Sequence, residues 1–227
     1  MHVWIILDGN RRRAKQRNLP SIQGHLAGAE RLESTIKYGF EKGIDIITVY
    51  GFSTENRNRD PSEVEGLMKI FLNYLSAMIP RLENQEIKVN ILGDKSAFSP
   101  DLQHIMQQLE DSTAKKSWHI FNLCLNYGGR AELLQAMQRL ANEVQKGNLQ
   151  PTDINETLIS NYLYTKGQPD PDLIIRTSGE NRLSGFLTWQ STYAELIFTK
   201  TLRPDFSEEV FDECLTEYEK RHRRFGK

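Results

Sequence analysis

The sequence predicts one α/β domain, residues 1–227, built on a mainly parallel sheet of about six strands flanked by helices. Three observations predict it. Short apolar runs rich in isoleucine and valine alternate with longer stretches of helical periodicity, the pattern of a chain that crosses back over a parallel sheet. The apolar runs lack period-two alternation, as strands covered on both faces do. Their ends carry small, polar or charged residues, on the side where open parallel sheets bind ligands.

The elements follow in order. His2–Leu7 (HVWIIL) reads as the first strand and runs into Asp8-Gly9-Asn10-Arg11-Arg12. A helical pattern over His25–Lys42 stops at Gly43. Ile44–Phe52 (IDIITVYGF) is the second strand, ending in Ser53-Thr54-Glu55-Asn56. Pro61 opens the helix Pro61–Leu82 at a first-turn position, where a missing N–H costs nothing. Ile87–Leu92 is the third strand and ends in Gly93-Asp94; Pro100 then opens the helix Pro100–Lys115. Ile120–Leu125 is the fourth, followed by Asn126-Tyr127-Gly128-Gly129-Arg130 and the helix Arg130–Lys146, which stops at Gly147. After a helix over Asp153–Leu163, the fifth strand Leu173–Ile175 ends in Arg176-Thr177-Ser178-Gly179-Glu180, and Ser207–Arg224 closes the chain as a helix. No repeat, low-complexity tract or linker divides it.

Composition narrows the function. With 29 basic and 30 acidic residues the formal charge is −1, so no general footprint for nucleic acid is present and any anion site must be local. Cys124 and Cys214 are too few for a disulfide framework, and no Cys/His cluster has zinc spacing. The N-terminus enters a strand pattern without the basic and apolar regions of a signal peptide. No apolar run approaches the ~20 residues of a spanning helix. A cytoplasmic protein is expected, touching a membrane at most from outside. Dinucleotide, P-loop and nucleophile-elbow signatures are absent. A strand ending in Leu-Asp-Gly suggests an aspartyl-phosphate enzyme, but the second aspartate expected two residues on is Asn10.

The strand ends suggest diphosphate chemistry. Gly9 lets backbone approach a ligand, and if the next residues open a helix, their free N–H groups bind anions. Arg11, Arg12 and Arg13 crowd cations beside Asp8, a carboxylate suited to Mg²⁺ together with phosphate oxygens. The bland alternative is a turn with Asp8 as helix cap and a solvated basic run. Arg176 and Arg182, with Ser178 and Ser184, form a second cluster; planar guanidiniums suit bidentate phosphate binding, though a surface loop with ordinary ion pairs has the same composition. His25 could be a cap or a proton carrier.

Taken together, the runs ILDGNRRRAK, GHLAGAE, YGFSTENRNR, ILGD, LNYGGRAE, DLIIRTSGENRLSGFLTWQSTYAEL and RRFG resemble the cis-prenyltransferases, the undecaprenyl diphosphate synthase family. They extend in family order from Ile6 to Gly226. The resemblance implies a hydrophobic tunnel, a homodimer, and extension of an allylic diphosphate (farnesyl diphosphate as the primer) by isopentenyl diphosphate units, each adding a cis double bond. It implies Mg²⁺ held by Asp8 and Glu195, with Asp8 assisting departure of the allylic diphosphate. Gly9, Asn10 and Arg12 match the loop holding that diphosphate, and His25, Ser53, Glu55 and Arg59 line the same site. Asn56 matches the residue implicated in removing the proton from the condensing unit. Arg176, Arg182 and Ser184 match the isopentenyl diphosphate site, which Arg224 and Gly226 of a partner subunit complete. The substrate-binding set drawn from these runs also takes in Arg11, Arg13, Thr54 and Leu183. Undecaprenyl diphosphate, the lipid carrier for cell-wall sugars, is the implied product, with membrane contact for its release. The alternatives are a short-chain cis-synthase and a non-catalytic partner subunit; Asp8, Asn56 and Glu195, all present, speak against the latter.

Departures from the family pattern stand at three places. Arg11 and Arg13 replace the usual glycine and tryptophan, Arg57 replaces a tryptophan, and Ser21 stands where many members place a phosphate-binding arginine. Either Arg13 or Arg57 restores the missing charge, or both point to solvent. Trp118 and His119 begin the strand that shapes the tunnel floor in this family.

Overall fold

The computed structural model describes residues 1–221. Its elements are β1 (His2–Ile6), α1 (Asn10–Gln16), α2 (Ser21–Glu41), β2 (Ile46–Ser53), α3 (Pro61–Leu82), β3 (Ile87–Leu92) and α4 (Pro100–Thr113). They continue with β4 (His119–Tyr127), α5 (Gly129–Gln145), α6 (Glu156–Tyr162), β5 (Leu173–Arg176), β6 (Glu195–Phe198) and α7 (Glu208–Glu219). The six strands lie in the order β3-β4-β2-β1-β5-β6, and every neighbouring pair is parallel.

β1 is central, and its sequence explains why. Val3 and Ile5 enter the core on one face, with Leu32, Val49 and Phe121, while Trp4 and Ile6 enter a second core with Tyr50, Cys124 and Phe186. Both faces are buried, so both sets are apolar. Each fully buried side chain of this size contributes roughly 1.5–3 kcal/mol, enough to decide which strand sits in the middle. The helices start where the sequence offers caps. Asp60 accepts a hydrogen bond from Ser62 N ahead of Pro61, and Ser99 accepts one from Leu102 N ahead of Pro100.

Three features differ from the sequence expectation. α2 begins at Ser21 rather than His25, directly after Pro20, so four further residues of the loop become helix. The sixth strand, Glu195–Phe198, carries only four residues and no apolar run long enough to announce itself. The closing helix ends at Glu219, with Arg221 beyond it, and the remainder of the expected span lies outside the described residues.

The order of the strands also places the site. From β1 the chain moves to β2 on one side, and β5 later returns to pair with β1 on the other. Ligands of open α/β sheets bind in the crevice created by such a reversal. Here it brings the residues after β1 beside those that end β5.

Candidate active site

The backbone of Asp8 is pinned by β5. Asp8 N donates to Thr177 Oγ1 at 2.9 Å, and the Thr177 hydroxyl donates to Asp8 O at 2.6 Å. Gly9 then turns the chain with φ of 110°, and a β-carbon there would lie 3.0 Å from Leu202 Cα. Only glycine satisfies both demands. Asn10 opens α1, so the expected helix is present; its first helical bond runs from Arg13 N to Gly9 O, leaving earlier amide groups for a ligand.

The Asp8 carboxylate meets two guanidiniums. Arg176 Nη2 donates to Asp8 Oδ2 at 2.8 Å, and Arg12 Nη2 lies 3.2 Å from the same oxygen. Burial pushes the carboxyl pKa up, but hydrogen bonds from Arg176 and Ser178 and the charges of Arg176 and Arg12 outweigh it and hold it below the usual range. Asp8 is therefore an anion at neutral pH. Arg176 is 4% exposed and also donates through Nη1 to Ser184 Oγ at 2.8 Å and to the carbonyl of Arg182. Arg12 reaches Ser178 O at 3.1 Å and Glu180 Oε1 at 3.2 Å, and Arg182 Nη1 donates to Glu180 Oε2 at 2.6 Å. Ser178 and Ser184 both adopt positive φ, 83° and 52°, the strained backbone that function-bearing loops retain.

Across the crevice, α2 and α3 supply the other wall. Asn10 seats on two glycines of α2: a β-carbon on Gly24 would come 2.1 Å from Asn10 O, and one on Gly28 2.4 Å from Asn10 Oδ1. Gly24→Ala is therefore expected to lower stability by about 1–3 kcal/mol despite alanine's better helix propensity, because a backbone carbonyl must move. Urea unfolding checks this; an unchanged midpoint would refute the close approach. Glu63 is a hub that sequence reading missed, since an acid in a first helical turn reads only as a dipole partner. It lies 3.2 Å from His25 Nε2, 3.1 Å from Arg59 Nη1 and 3.8 Å from Arg11 Nε. Burial pulls the His25 pKa below 6.5, so His25 is neutral at pH 7 and serves as a hydrogen-bonding group. Ser53 and Asn56 form a reciprocal cap: Asn56 N donates to Ser53 Oγ at 3.2 Å, and Ser53 N to Asn56 Oδ1 at 3.1 Å.

These walls enclose a cavity of about 960 Å³. Asp8, Gly9, Asn10, Arg11, Arg12, His25, Ser53, Asn56, Arg59, Arg176, Arg182 and Ser184 all line it. Its cationic side chains are Arg11, Arg12, Lys15, Arg59, Arg176 and Arg182, against the single carboxylate of Asp8. Glu63, paired with Arg11 and Arg59, and Glu180, paired with Arg12 and Arg182, offset part of that charge from outside the lining, and the wall itself remains a local anion site. Lys15 was not singled out by the sequence, yet it shares this wall with Ser21. The inner wall is apolar, with Leu32, Leu67, Phe71 and Leu123.

Several expected site residues stand elsewhere. Arg13 Nε lies 2.7 Å from Asp205 Oδ2, and Arg57 Nε donates to Asn126 Oδ1 at 2.6 Å; neither lines the cavity or points freely to solvent. Charge compensation for Ser21 by either is thus not what the structure contains. Thr54, Glu55 and Leu183 lie off the cavity wall, with Thr54 Oγ1 bonded to Glu55 Oε2 at 3.1 Å. Glu195 opens β6 level with Leu173 and Val3, five residues short of Asp8, or about 16 Å along a strand. Its carboxylate lies 2.9 Å from Arg221 Nη1, so one chain does not bring Asp8 and Glu195 together around one ion. Among the described residues no group of three or more His, Cys, Asp or Glu could hold a metal. The apolar part of the cavity lining reaches Leu123. Leu123 stands level with Val49 and Ile5, about 10 Å below Asp8, and Phe121, two residues deeper, is fully buried in packed core. Arg224 and Gly226 lie outside the described residues, within which no helix is long and apolar enough to cross a membrane.

Comparison with known proteins adds the chemistry of relatives. The family model for undecaprenyl diphosphate synthase matches residues 6–226. An isoprenyl transferase of Geobacillus kaustophilus is 44% identical over 99% of this chain and 88% of its own length. A ditrans,polycis-undecaprenyl-diphosphate synthase of Pseudomonas aeruginosa, specific for (2E,6E)-farnesyl diphosphate, is 43% identical over 100% of this chain and 90% of its own. Among solved structures, lavandulyl diphosphate synthase from Lavandula x intermedia in complex with dimethylallyl diphosphate superposes with a TM-score of 0.96 at 36% identity, over 100% of this chain and 98% of that one. A probable undecaprenyl diphosphate synthase from Campylobacter jejuni superposes at 0.81 with 26% identity and the same coverage.

Proposed function

Because this chain belongs to the undecaprenyl diphosphate synthase family of prenyltransferases, we propose that its cationic crevice joins isopentenyl diphosphate to an allylic diphosphate, with farnesyl diphosphate as primer. The observation that carries the reading is a cavity lining with six cationic side chains and one carboxylate, Asp8, beside an apolar wall. Two diphosphates are matched by the cations, and a hydrocarbon tail by the wall.

The allylic diphosphate rests on Gly9, Asn10 and Arg12, and the isopentenyl diphosphate on Arg176, Arg182 and Ser184. Breaking the allylic C–O bond places charge on the leaving diphosphate, where Arg12 and the amide groups opening α1 stabilise it. Asp8, anionic and partly exposed, fits Mg²⁺, which usually takes one or two carboxylates and completes its shell with phosphate oxygens and water. When bound there with the substrate, the ion supplies Lewis-acid neutralisation of phosphate charge. The terminal alkene carbon of isopentenyl diphosphate then bonds to the allylic carbon, and a proton leaves the adjacent position. Asn56 is no base at neutral pH; it holds the condensing unit by hydrogen bonding while the proton passes to the released diphosphate or to water. Leu32, Leu67, Phe71 and Leu123 keep water from the carbocation. Glu195 and the Arg224–Gly226 segment act across a homodimer, completing the site of a second copy. The product is undecaprenyl diphosphate, the lipid carrier for cell-wall sugars, made in the cytoplasm and released at the membrane surface.

Incubating the purified chain with Mg²⁺, farnesyl diphosphate and isopentenyl diphosphate should give products rising in five-carbon steps, read by mass spectrometry. Absence of turnover would sink the enzymatic reading in favour of a non-catalytic partner subunit. A second reading, arrest at a short product, is favoured by the close superposition on lavandulyl diphosphate synthase. The same product spectrum separates the two.

A further inference from the structure

The 3-10 turn Thr54–Asn58 joins β2 to α3 and presents Asn56 to the cavity. Its two ends are closed by the Ser53–Asn56 cap and by Arg59 N donating to Asn56 O at 3.2 Å. Its outward hold comes through Arg57. Arg57 Nε donates to Asn126 Oδ1 at 2.6 Å, at the end of β4, and Nη2 donates to Ala97 O at 3.2 Å, after β3. The guanidinium also lies 5.4 Å over the ring of Phe98, itself 6% exposed. Asn126 is a firm anchor. It adopts φ of 48° and donates through Nδ2 to Asp94 O at 2.9 Å, so its amide has one orientation.

We propose that Arg57 is a positioning residue that clamps the turn Thr54–Asn58 to the ends of β3 and β4 and thereby fixes Asn56 against the condensing substrate. Arg57 itself faces away from the cavity, while Ser53, Asn56 and Arg59 on the same segment line it. A tryptophan, the usual family residue here, could stack on Phe98 but offers one N–H. The arginine fork binds two separate segments as well as the ring. The proposal rests on the role given to Asn56 in the proposed reaction.

The test compares Arg57→Ala, Asn126→Gly (which retains the positive φ) and the double variant. Readouts are kcat and KM for both diphosphates, melting temperature, and amide hydrogen exchange over residues 54–59. A clamp predicts a kcat loss of about 10- to 100-fold in Arg57→Ala, since small misplacements of a reacting group cost that much. KM values should change less than about threefold, exchange over 54–59 should quicken, and the double variant should be no worse than the more damaged single. A raised allylic KM with unchanged kcat would overturn the proposal and make Arg57 a substrate ligand. Independent, multiplying effects of the two substitutions, or unaltered exchange, would overturn it as well. A wild-type chain without turnover would instead strike at the proposed reaction, and exchange over 54–59 would still decide the clamp.

Discussion

Asp8→Asn is expected to lower kcat by about 10²–10³-fold while leaving the fold intact. The asparagine keeps an oxygen to accept from Arg176 but removes the one carboxylate that lines the cavity. Removing a single preorganised electrostatic group from an active site commonly costs this much. Asp8→Ala should go further and also destabilise the protein by about 1–3 kcal/mol. Arg176 is 4% exposed, and losing its carboxylate leaves a buried guanidinium with only carbonyl and hydroxyl acceptors. Steady-state kinetics and urea unfolding of the two variants distinguish charge from packing. Equal kcat in Asp8→Asn and wild type would remove Asp8 from the chemistry.

The second large effect concerns acid. His2 is 1% exposed in the centre of the sheet, and burial lowers its pKa from 6.5 to about 4. Its ring is fully committed as a neutral group. Nδ1 donates to Pro169 O at 2.8 Å, while Nε2 accepts from Trp4 Nε1 at 2.5 Å and faces Thr48 Oγ1 at 2.8 Å. A proton on Nε2 would oppose the Trp4 N–H. Because the folded pKa is depressed, the unfolded chain binds the proton first, so stability is constant above about pH 6.5 and falls as pH drops toward 4. The full loss is about 3 kcal/mol, of which about 2 kcal/mol is spent by pH 5. Denaturant midpoints at pH 7 and pH 5 should show that slope in the wild type and a flatter one in His2→Gln. Parallel slopes in both proteins would refute the assignment.

His2 also shows where sequence reading stops. The sequence places it in an apolar strand, as the structure does, but its partners are not legible there. Thr48, Asn122 and Asn90 each interrupt an apolar strand, and parallel register sets them side by side across β2, β4 and β3. Asn122 Nδ2 donates to Thr48 Oγ1 at 2.8 Å and Asn90 Nδ2 to Asn122 Oδ1 at 2.8 Å, so a polar row, buried at Thr48 and Asn122 and half-buried at Asn90, crosses the sheet. Register depends on every turn and helix between the strands, and no local window holds that information. Glu195 is the same lesson in reverse. The family resemblance implied a metal ligand working with Asp8, but the direction of β6 sets Glu195 at the other end of the sheet.

The parallel α/β fold and the polar strand ends that mark its ligand edge were legible from the sequence by itself, whereas for the loop Asp8–Arg12 the residues alone left a plain capped turn equally open. These follow from local rules: burial on two faces makes a strand continuously apolar, and a glycine after a strand-ending carboxylate opens the backbone to an anion. What the tertiary structure alone decided is which cations serve that anion. Arg12 and Arg176 meet at Asp8 across 164 and more residues of chain order, Lys15 joins their wall, and Arg13 and Arg57 are committed to Asp205 and Asn126. The physical reason is reach. A guanidinium on a long flexible stem goes to whichever acceptor the fold brings within about 3 Å, and for Arg13, Arg57 and Arg176 that acceptor comes from a distant part of the chain.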